Sequence, residues 1–214
     1  MIRILLVEDH AVVRNGYRRL LDAEDDMRVV GEGASADEAY MALCATSADM
    51  AVVDLNLRGS SGIDAIRRMQ AREPALKVLV ISMHDNPSFV TQAMRAGAIG
   101  YLTKNSEPAE MLDAIREVAA GRRVLAPDVA QSLAVAALDG ETPLARLTPR
   151  EFDVLRLAAR GESPGTIAGT MHLSQKTIHN HLSAIRQKLG VDNDFKLLQL
   201  AARHGLVDWS AGLV

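Results

Sequence analysis

Sulfur chemistry is nearly absent from this chain. Its single cysteine, Cys44, excludes an internal disulfide and any cysteine-cluster metal site. Cys44 falls within a helical pattern, where a small buried hydrophobe is the expectation. Aromatic residues make up only 3% of the sequence, too few for the stacking platforms that hold single-stranded nucleic acid. No apolar stretch approaches the length of a membrane span. The opening Met1-Ile2-Arg3, four apolar residues and two acids, lacks the longer apolar core of a signal peptide. A cytoplasmic protein with no membrane partner is expected.

What remains is an ordinary globular composition spread over 214 residues, enough for one large domain or two small ones with buried cores. The charge is uneven. Residues 1–145 carry 15 Lys+Arg against 21 Asp+Glu, a balance of −6, whereas residues 146–214 carry 9 against 6, a balance of +3. An acidic front and a basic tail point to a cation site in one half and nucleic acid in the other. From Met1 to about Gly121 short apolar runs alternate with helical stretches. The strands read as Ile2 to Val7, Arg28 to Glu32, Met50 to Asp54, Lys77 to Ser82 and Ile99 to Leu102. Five βα units predict a five-stranded parallel sheet covered on both faces. Beyond Gly121 an Ala-rich helix from Asp128 to Leu138 precedes a linker-like Asp139 to Pro143. From Leu147 the pattern is purely helical, with four helices expected. The expected domains are therefore 1–121, a linking stretch 122–146, and 147–214.

The ends of the strands carry the chemistry. Glu8 and Asp9 follow the first strand, Asp54 closes the third, Ser82 ends the fourth and Lys104 follows the fifth. In a parallel sheet the carboxyl ends of the strands form the ligand crevice. Three carboxylates there call for a cation, and Mg²⁺, which prefers oxygen ligands, is the natural one. Asp54 is the expected nucleophile toward a phosphoryl donor. Glu8, Asp9 and the Asn56 backbone carbonyl would hold the metal alongside Asp54. Lys104 and the Ser82 hydroxyl would offset phosphoryl charge. A phosphoaspartyl hydrolase needs a second aspartate two residues after its nucleophile; Asn56 stands there, so an enzyme is not expected.

The stretches Ile-Leu-Leu-Val-Glu-Asp-His (4–10), Val-Val-Asp-Leu-Asn-Leu (52–57), Val-Ile-Ser-Met-His (80–84) and Gly-Tyr-Leu-Thr-Lys (100–104) together resemble a response-regulator receiver domain. The resemblance implies an α/β flavodoxin-like (CheY-like) fold and phosphotransfer to Asp54 from a sensor histidine kinase. It also makes Ser82 and Tyr101 the pair that reports phosphorylation. Arg58 departs from the proline usual at this loop, which would loosen it, and Gly59 keeps the turn. His84, two residues past Ser82, is placed to tune hydrolysis of the phosphoryl group, but an exposed loop residue is the expectation.

In the tail, two short helices meet at about His172-Leu173, with Ser174 capping the second, a helix-turn-helix. Leu147-Thr-Pro-Arg-Glu, Ala158-Ala-Arg-Gly and Leu173-Ser-Gln-Lys-Thr-Ile-His-Asn-His-Leu resemble the all-α, four-helix LuxR-type DNA-binding domain. With the receiver in front, the chain is similar to NarL/FixJ-type response regulators, and to their UhpA branch in Ser82 to Ser88 and Thr177 to His181. The resemblance implies a phosphorylation-controlled regulator of transcription that binds double-stranded DNA as a homodimer, with RNA polymerase a further partner. By position it assigns base contacts to His179, Asn180 and Ser183, phosphate contacts to Lys176, Thr177 and Lys188, and a dimer seam to Phe195, Leu197, Leu198 and Leu200. Pro164-Gly165-Thr166 replaces the family's polar triplet, which removes a backbone contact. His179 stands where lysine is frequent, so its contacts would vary with pH near neutrality.

Overall fold

The computed structural model describes residues 1–57, 59–138 and 142–206. Arg58 and part of the expected linker, Asp139 to Glu141, lie outside the described residues. The chain divides into two compact units, Met1–Val135 and Ala136–Val214.

In the first unit the alternation read from the sequence is realised as β1 (Ile2–Val7), α1 (Ala11–Asp22), β2 (Met27–Gly33), α2 (Ala36–Ala45), β3 (Met50–Val53), α3 (Gly62–Arg72), β4 (Lys77–Ser82), α4 (Pro87–Ala96), β5 (Gly100–Thr103) and α5 (Pro108–Ala119). All strand pairs are parallel, in the order β2-β1-β3-β4-β5-β6. The expectation of five strands needs correcting. A sixth, β6 (Val124–Leu125), pairs with Gly100 and Tyr101 at the edge of the sheet. Gly121, at φ 81°, turns the chain out of α5, and the Val124 and Ala126 N–H groups donate to the carbonyls of Ile99 and Tyr101. Two residues are too short to show a period in sequence. β6 and most of α6 (Pro127–Leu138) therefore fold with the first unit, within the stretch expected to link the domains.

Ile4 to Val7 and Met50 to Val53 are at most 2% exposed. Helices cover both faces of the sheet, so these strands are unbroken apolar runs. Local chemistry sets the helix ends: Ser35 and Asn86 accept N–H bonds from the first turns of α2 and α4, Pro87 opens α4, and Gly97 ends it at φ 119°. Cys44 is exposed, contrary to the expectation of burial, because α2 presents Ala36, Ala39 and Leu43 to the core and residue 44 falls off that stripe.

Among its described residues the second unit holds, after the end of α6, a 3₁₀ turn (Pro143–Arg146) and four helices, α7 (Pro149–Ala159), α8 (Pro164–Thr170), α9 (Gln175–Leu189) and α10 (Asp194–Arg203). Thr148 and Glu151 form the reciprocal capping box of α7. Phe152, Val154, Leu155, Ile178, Ile185 and Ala201 are fully buried at its centre. Among the described residues, no helix is long and apolar enough to cross a membrane.

Candidate phosphoryl-acceptor site and nucleic-acid interface

The sheet continues as a backbone ladder just past its strands, and that ladder gathers the site. The N–H of Glu8 donates to the Gly33 carbonyl (3.0 Å), that of Asp54 to Val7 (2.9 Å) and that of Lys104 to Ser82 (2.8 Å). These bonds carry the β1–β2, β1–β3 and β4–β5 pairings to the strand ends, and the β3–β4 pairing of Val53 with Val80 joins the two halves. Lys104 Nζ reaches back across the crevice and donates to Glu8 Oε2 at 2.7 Å and Asp54 Oδ2 at 2.8 Å. Glu8 and Asp54 are only 1% and 4% exposed. Burial pushes the Asp54 carboxyl up from its ordinary range, against the opposing pull of Lys104 and of the Asn56 N–H. The Lys104 ammonium, which burial alone would lower, is held above its usual value by its hydrogen bonds to Asp54 and Glu8.

The donor set fits a divalent cation. Glu8 and Asp54 meet at the Lys104 ammonium, and donor atoms of Glu8, Asp9 and His10 lie within 4.8 Å of one another; Glu8 belongs to both groups, and the surplus of carboxylate charge suits a hard divalent ion. The Asn56 N–H donates to Asp54 Oδ1 at 3.1 Å, which fixes the loop whose Asn56 carbonyl was assigned to the metal. His10 adjoins the set, with Nδ1 2.9 Å from Asp9 Oδ1 and 3.2 Å from Glu8 Oε1.

Ser82 and Tyr101 are both fully buried. The Tyr101 hydroxyl donates to the His84 carbonyl at 2.6 Å, and the His84 N–H lies 3.3 Å from Ser82 Oγ. Burial pushes the Tyr101 phenol far above its ordinary value, with its bond to Ser82 opposing, so it remains a donor. His84 is not the exposed loop residue expected. Its ring stacks on Phe89, centroids 4.0 Å apart and planes 4° from parallel, and its Nε2 lies 3.0 Å from Asn56 Nδ2 and 3.2 Å from Asn56 Oδ1. One half-buried histidine thus joins the Asp54 loop to the Ser82–Tyr101 pair.

Sequence reasoning also missed Gly62. A Cβ there would stand 2.1 Å from the Asp54 carbonyl oxygen and 2.5 Å from Leu55 Cα, so only glycine lets α3 start against the back of the acceptor loop. The one signal was its place after Ser60-Ser61, a helix start.

In the second unit, α8 and α9 are joined by a turn in which His172 takes a left-handed φ of 52°. The Leu173 N–H donates to the Ala168 carbonyl (2.9 Å), and Ser174 Oγ accepts the Thr177 N–H at 3.1 Å. With Ile178 and Ile185 buried, α9 exposes Lys176, His179, Asn180 and Ser183 on its outer side. Thr177 is half-buried, its hydroxyl 2.8 Å from that of Ser174. Lys188 is placed differently from a free phosphate ligand: its ammonium donates to both Glu151 oxygens, at 2.8 and 2.7 Å. Lys176 has no carboxylate partner among the described residues. Gly165, within the departed triplet, lets the Gln175 amide lie close over α8. Of the expected dimer seam, Leu197 is 2% exposed and belongs to the domain's own core, because it falls on the inward face of α10 with Ala201. Phe195 is 73% exposed, and Leu198 and Leu200 are intermediate.

Comparison with known proteins agrees with this geometry. The profile described as "Response regulator receiver domain" matches residues 4–116, and that described as "Bacterial regulatory proteins, luxR family" matches residues 145–201. Response regulator UvrY of Escherichia coli K12 is 35% identical over 210 residues, 96% of either chain. Response regulator GacA of Pseudomonas viridiflava is 35% identical over 214 residues, 99% of this chain and all of its own. Among solved structures, RcsB from Salmonella enterica serovar Typhimurium, bound to promoter rprA in the presence of phosphomimetic BeF₃⁻, superposes with a TM-score of 0.73 at 26% identity, covering 94% of this chain and 98% of that one. The chain belongs to the NarL/FixJ-type response regulators, in the UhpA-like branch: a flavodoxin-like receiver followed by a LuxR-family helix-turn-helix domain.

Proposed function

We propose that Asp54 accepts a phosphoryl group from a sensor histidine kinase, and that this switches dimerisation and sequence-specific DNA binding to control transcription from the cytoplasm. The observation that carries the reading is the Lys104 ammonium bridging two buried carboxylates at the mouth of the sheet. An Asp54 oxygen attacks the phosphorus of a phosphohistidine. The new P–O bond forms as the P–N bond breaks, and the imidazole nitrogen leaves with the electron pair and takes up a proton. Lys104 has a third N–H free of Glu8 and Asp54 to meet a phosphoryl oxygen, and the Ser82 hydroxyl takes another. Mg²⁺ held by Glu8, Asp9, Asp54 and the Asn56 carbonyl would neutralise charge on the transferring group.

Ser82 moving toward the phosphoryl group would shift the His84 backbone, and with it the Tyr101 hydroxyl. That chain of hydrogen bonds supports the Ser82–Tyr101 switch. In the tail, Lys176 and Thr177 would bind phosphate, and His179, Asn180 and Ser183 would read bases. Lys188 would have to leave Glu151 to join them. Phe195, with Leu198 and Leu200 beside it, would form the dimer seam. RNA polymerase is the partner expected downstream.

The test is intact mass after incubation with acetyl phosphate and Mg²⁺. A single phosphoryl addition to wild type is expected, absent from Asp54→Asn and in the presence of chelator. Folded wild type that gains no mass would overturn the reading in favour of phosphorylation-independent DNA binding.

A further inference from the structure

We infer that His10 supplies a nitrogen donor to the divalent-cation site, so that this pocket takes a first-row transition ion such as Mn²⁺ in preference to Mg²⁺. The inference rests on the reading of Glu8, Asp9 and Asp54 as a cation site and concerns what that site selects. His10 stands at the N-cap of α1, with extended φ −80° and ψ 106°, but its side chain makes no capping bond. Its ring turns instead to the acid pair, and Nδ1 lies 2.9 Å from Asp9 Oδ1 and 3.2 Å from Glu8 Oε1. Two donors at right angles around an ion with bonds of about 2.1 Å are separated by about 3.0 Å. Both separations match an edge of such a shell, and the donor atoms of Glu8, Asp9 and His10 all lie within 4.8 Å of one another.

The neighbouring groups leave His10 this role. The Glu8 carboxylate already accepts from Lys104 through Oε2 and from the His10 N–H through Oε1 (3.0 Å), which fixes its orientation. The His10 side chain is 54% exposed, so its ring sits at the solvent rim, where an arriving ion sheds water. Imidazole gains affinity along the first-row series that begins with Mn²⁺, whereas Mg²⁺ holds to oxygen and water. A carboxylate-only site would bind both classes through oxygen; one imidazole tips the choice.

Mn²⁺ is the probe, because it occupies oxygen-rich sites and reports a bound nitrogen magnetically. Tag-free full-length protein is titrated with Mn²⁺, the bound ion is examined by pulsed electron paramagnetic resonance, and Mg²⁺ is measured by competition. Wild type should show ¹⁴N modulation from one imidazole. His10→Ala and His10→Gln, both checked for fold by circular dichroism, should lose the modulation. Their Mn²⁺ dissociation constant should rise about tenfold or more, while that for Mg²⁺ changes by less than about twofold. His84→Ala, on the Asn56 side of the site, should keep the signal. Mn²⁺ bound without nitrogen modulation, in competition with Mg²⁺, would overturn the role of His10 and leave the cation site standing. Modulation lost in His84→Ala rather than in the His10 variants would also overturn it. Failure of both ions to bind, or binding undiminished by Asp9→Asn, would overturn the cation site itself.

Discussion

Adding one methyl group at Gly62 should do more damage than removing most surface side chains. The new Cβ would lie 2.1 Å from the Asp54 carbonyl oxygen and 2.5 Å from Leu55 Cα, so about 1 Å of separation has to be recovered to reach ordinary contact. No flexible side chain can yield it. The Asp54 backbone is tied to Val7 (2.9 Å), and the Gly62 N–H to the Leu55 carbonyl (3.1 Å), so the whole turn must move. Overpacking typically costs 1–3 kcal/mol; with backbone on both sides, Gly62→Ala is placed at the top of that range, about 3 kcal/mol. The same movement misplaces the Asp54 carboxylate, and a 1 Å error at a reacting group costs about a hundredfold in rate. The control is Gly16→Ala. Gly16 lies mid-helix in α1 with nothing within 4 Å of its would-be Cβ, so alanine should stabilise by about 0.5–1 kcal/mol. Urea unfolding followed at the tyrosine bands isolates the first unit, because all three tyrosines (Tyr17, Tyr40 and Tyr101) lie there; phosphorylation by acetyl phosphate gives the rate. Shifts of the same sign in the two variants, or a Gly62→Ala protein that unfolds and reacts like wild type, would refute the packing argument.

Four further variants have expected outcomes. Burial raises the Asp54 carboxyl, and a raised carboxyl favours the fold while protonated and loses that contribution as pH rises through its folded value. Metal-free Asp54→Asn should therefore be more stable than wild type at neutral pH. The two should converge in acid, and Mg²⁺ should stabilise wild type more than the variant in the same urea titrations. Lys188→Ala should lower the stability of the second unit by about 1 kcal/mol, because the Glu151 carboxylate keeps only its bonds from Thr148, and should leave the salt dependence of DNA binding unchanged. Lys176→Ala should leave stability unchanged and reduce the salt slope by about 1 per bound half-site; melting curves and binding isotherms at several salt concentrations separate the two lysines. His84→Ala removes the ring that lies against Asn56 and Phe89, opens the phosphoryl side to water, and should shorten the lifetime of phosphorylated Asp54, measured as loss of the added mass over time.

What the sequence discloses follows a physical rule. Glu8, Asp54, Ser82 and Lys104 were legible because each stands at the end of an apolar run, and strand ends in a parallel sheet converge whatever the side chains between them do. The helices of the tail were legible because Thr148, Ser163 and Ser174 cap them through bonds three residues long. The sixth strand was not, since two residues carry no period and their pairing depends on where Gly121 turns the chain. Gly62, His84 and Lys188 were not legible for a shared reason: each is decided by an approach between elements distant in sequence, α3 against the β3 loop, the β4 loop against Asn56, and α9 against the cap of α7. A lysine on a recognition helix reads as a phosphate ligand until the carboxylate 37 residues away is found beside it. The resemblance to a family assigns that role by position. Position fixes which groups face the crevice or the groove; only the partners fix which of them still have a hydrogen bond or a charge to give. On that ground, among the described residues, Lys104's third N–H and the Lys176 ammonium are donors still to be used, one in the crevice and one on the recognition helix.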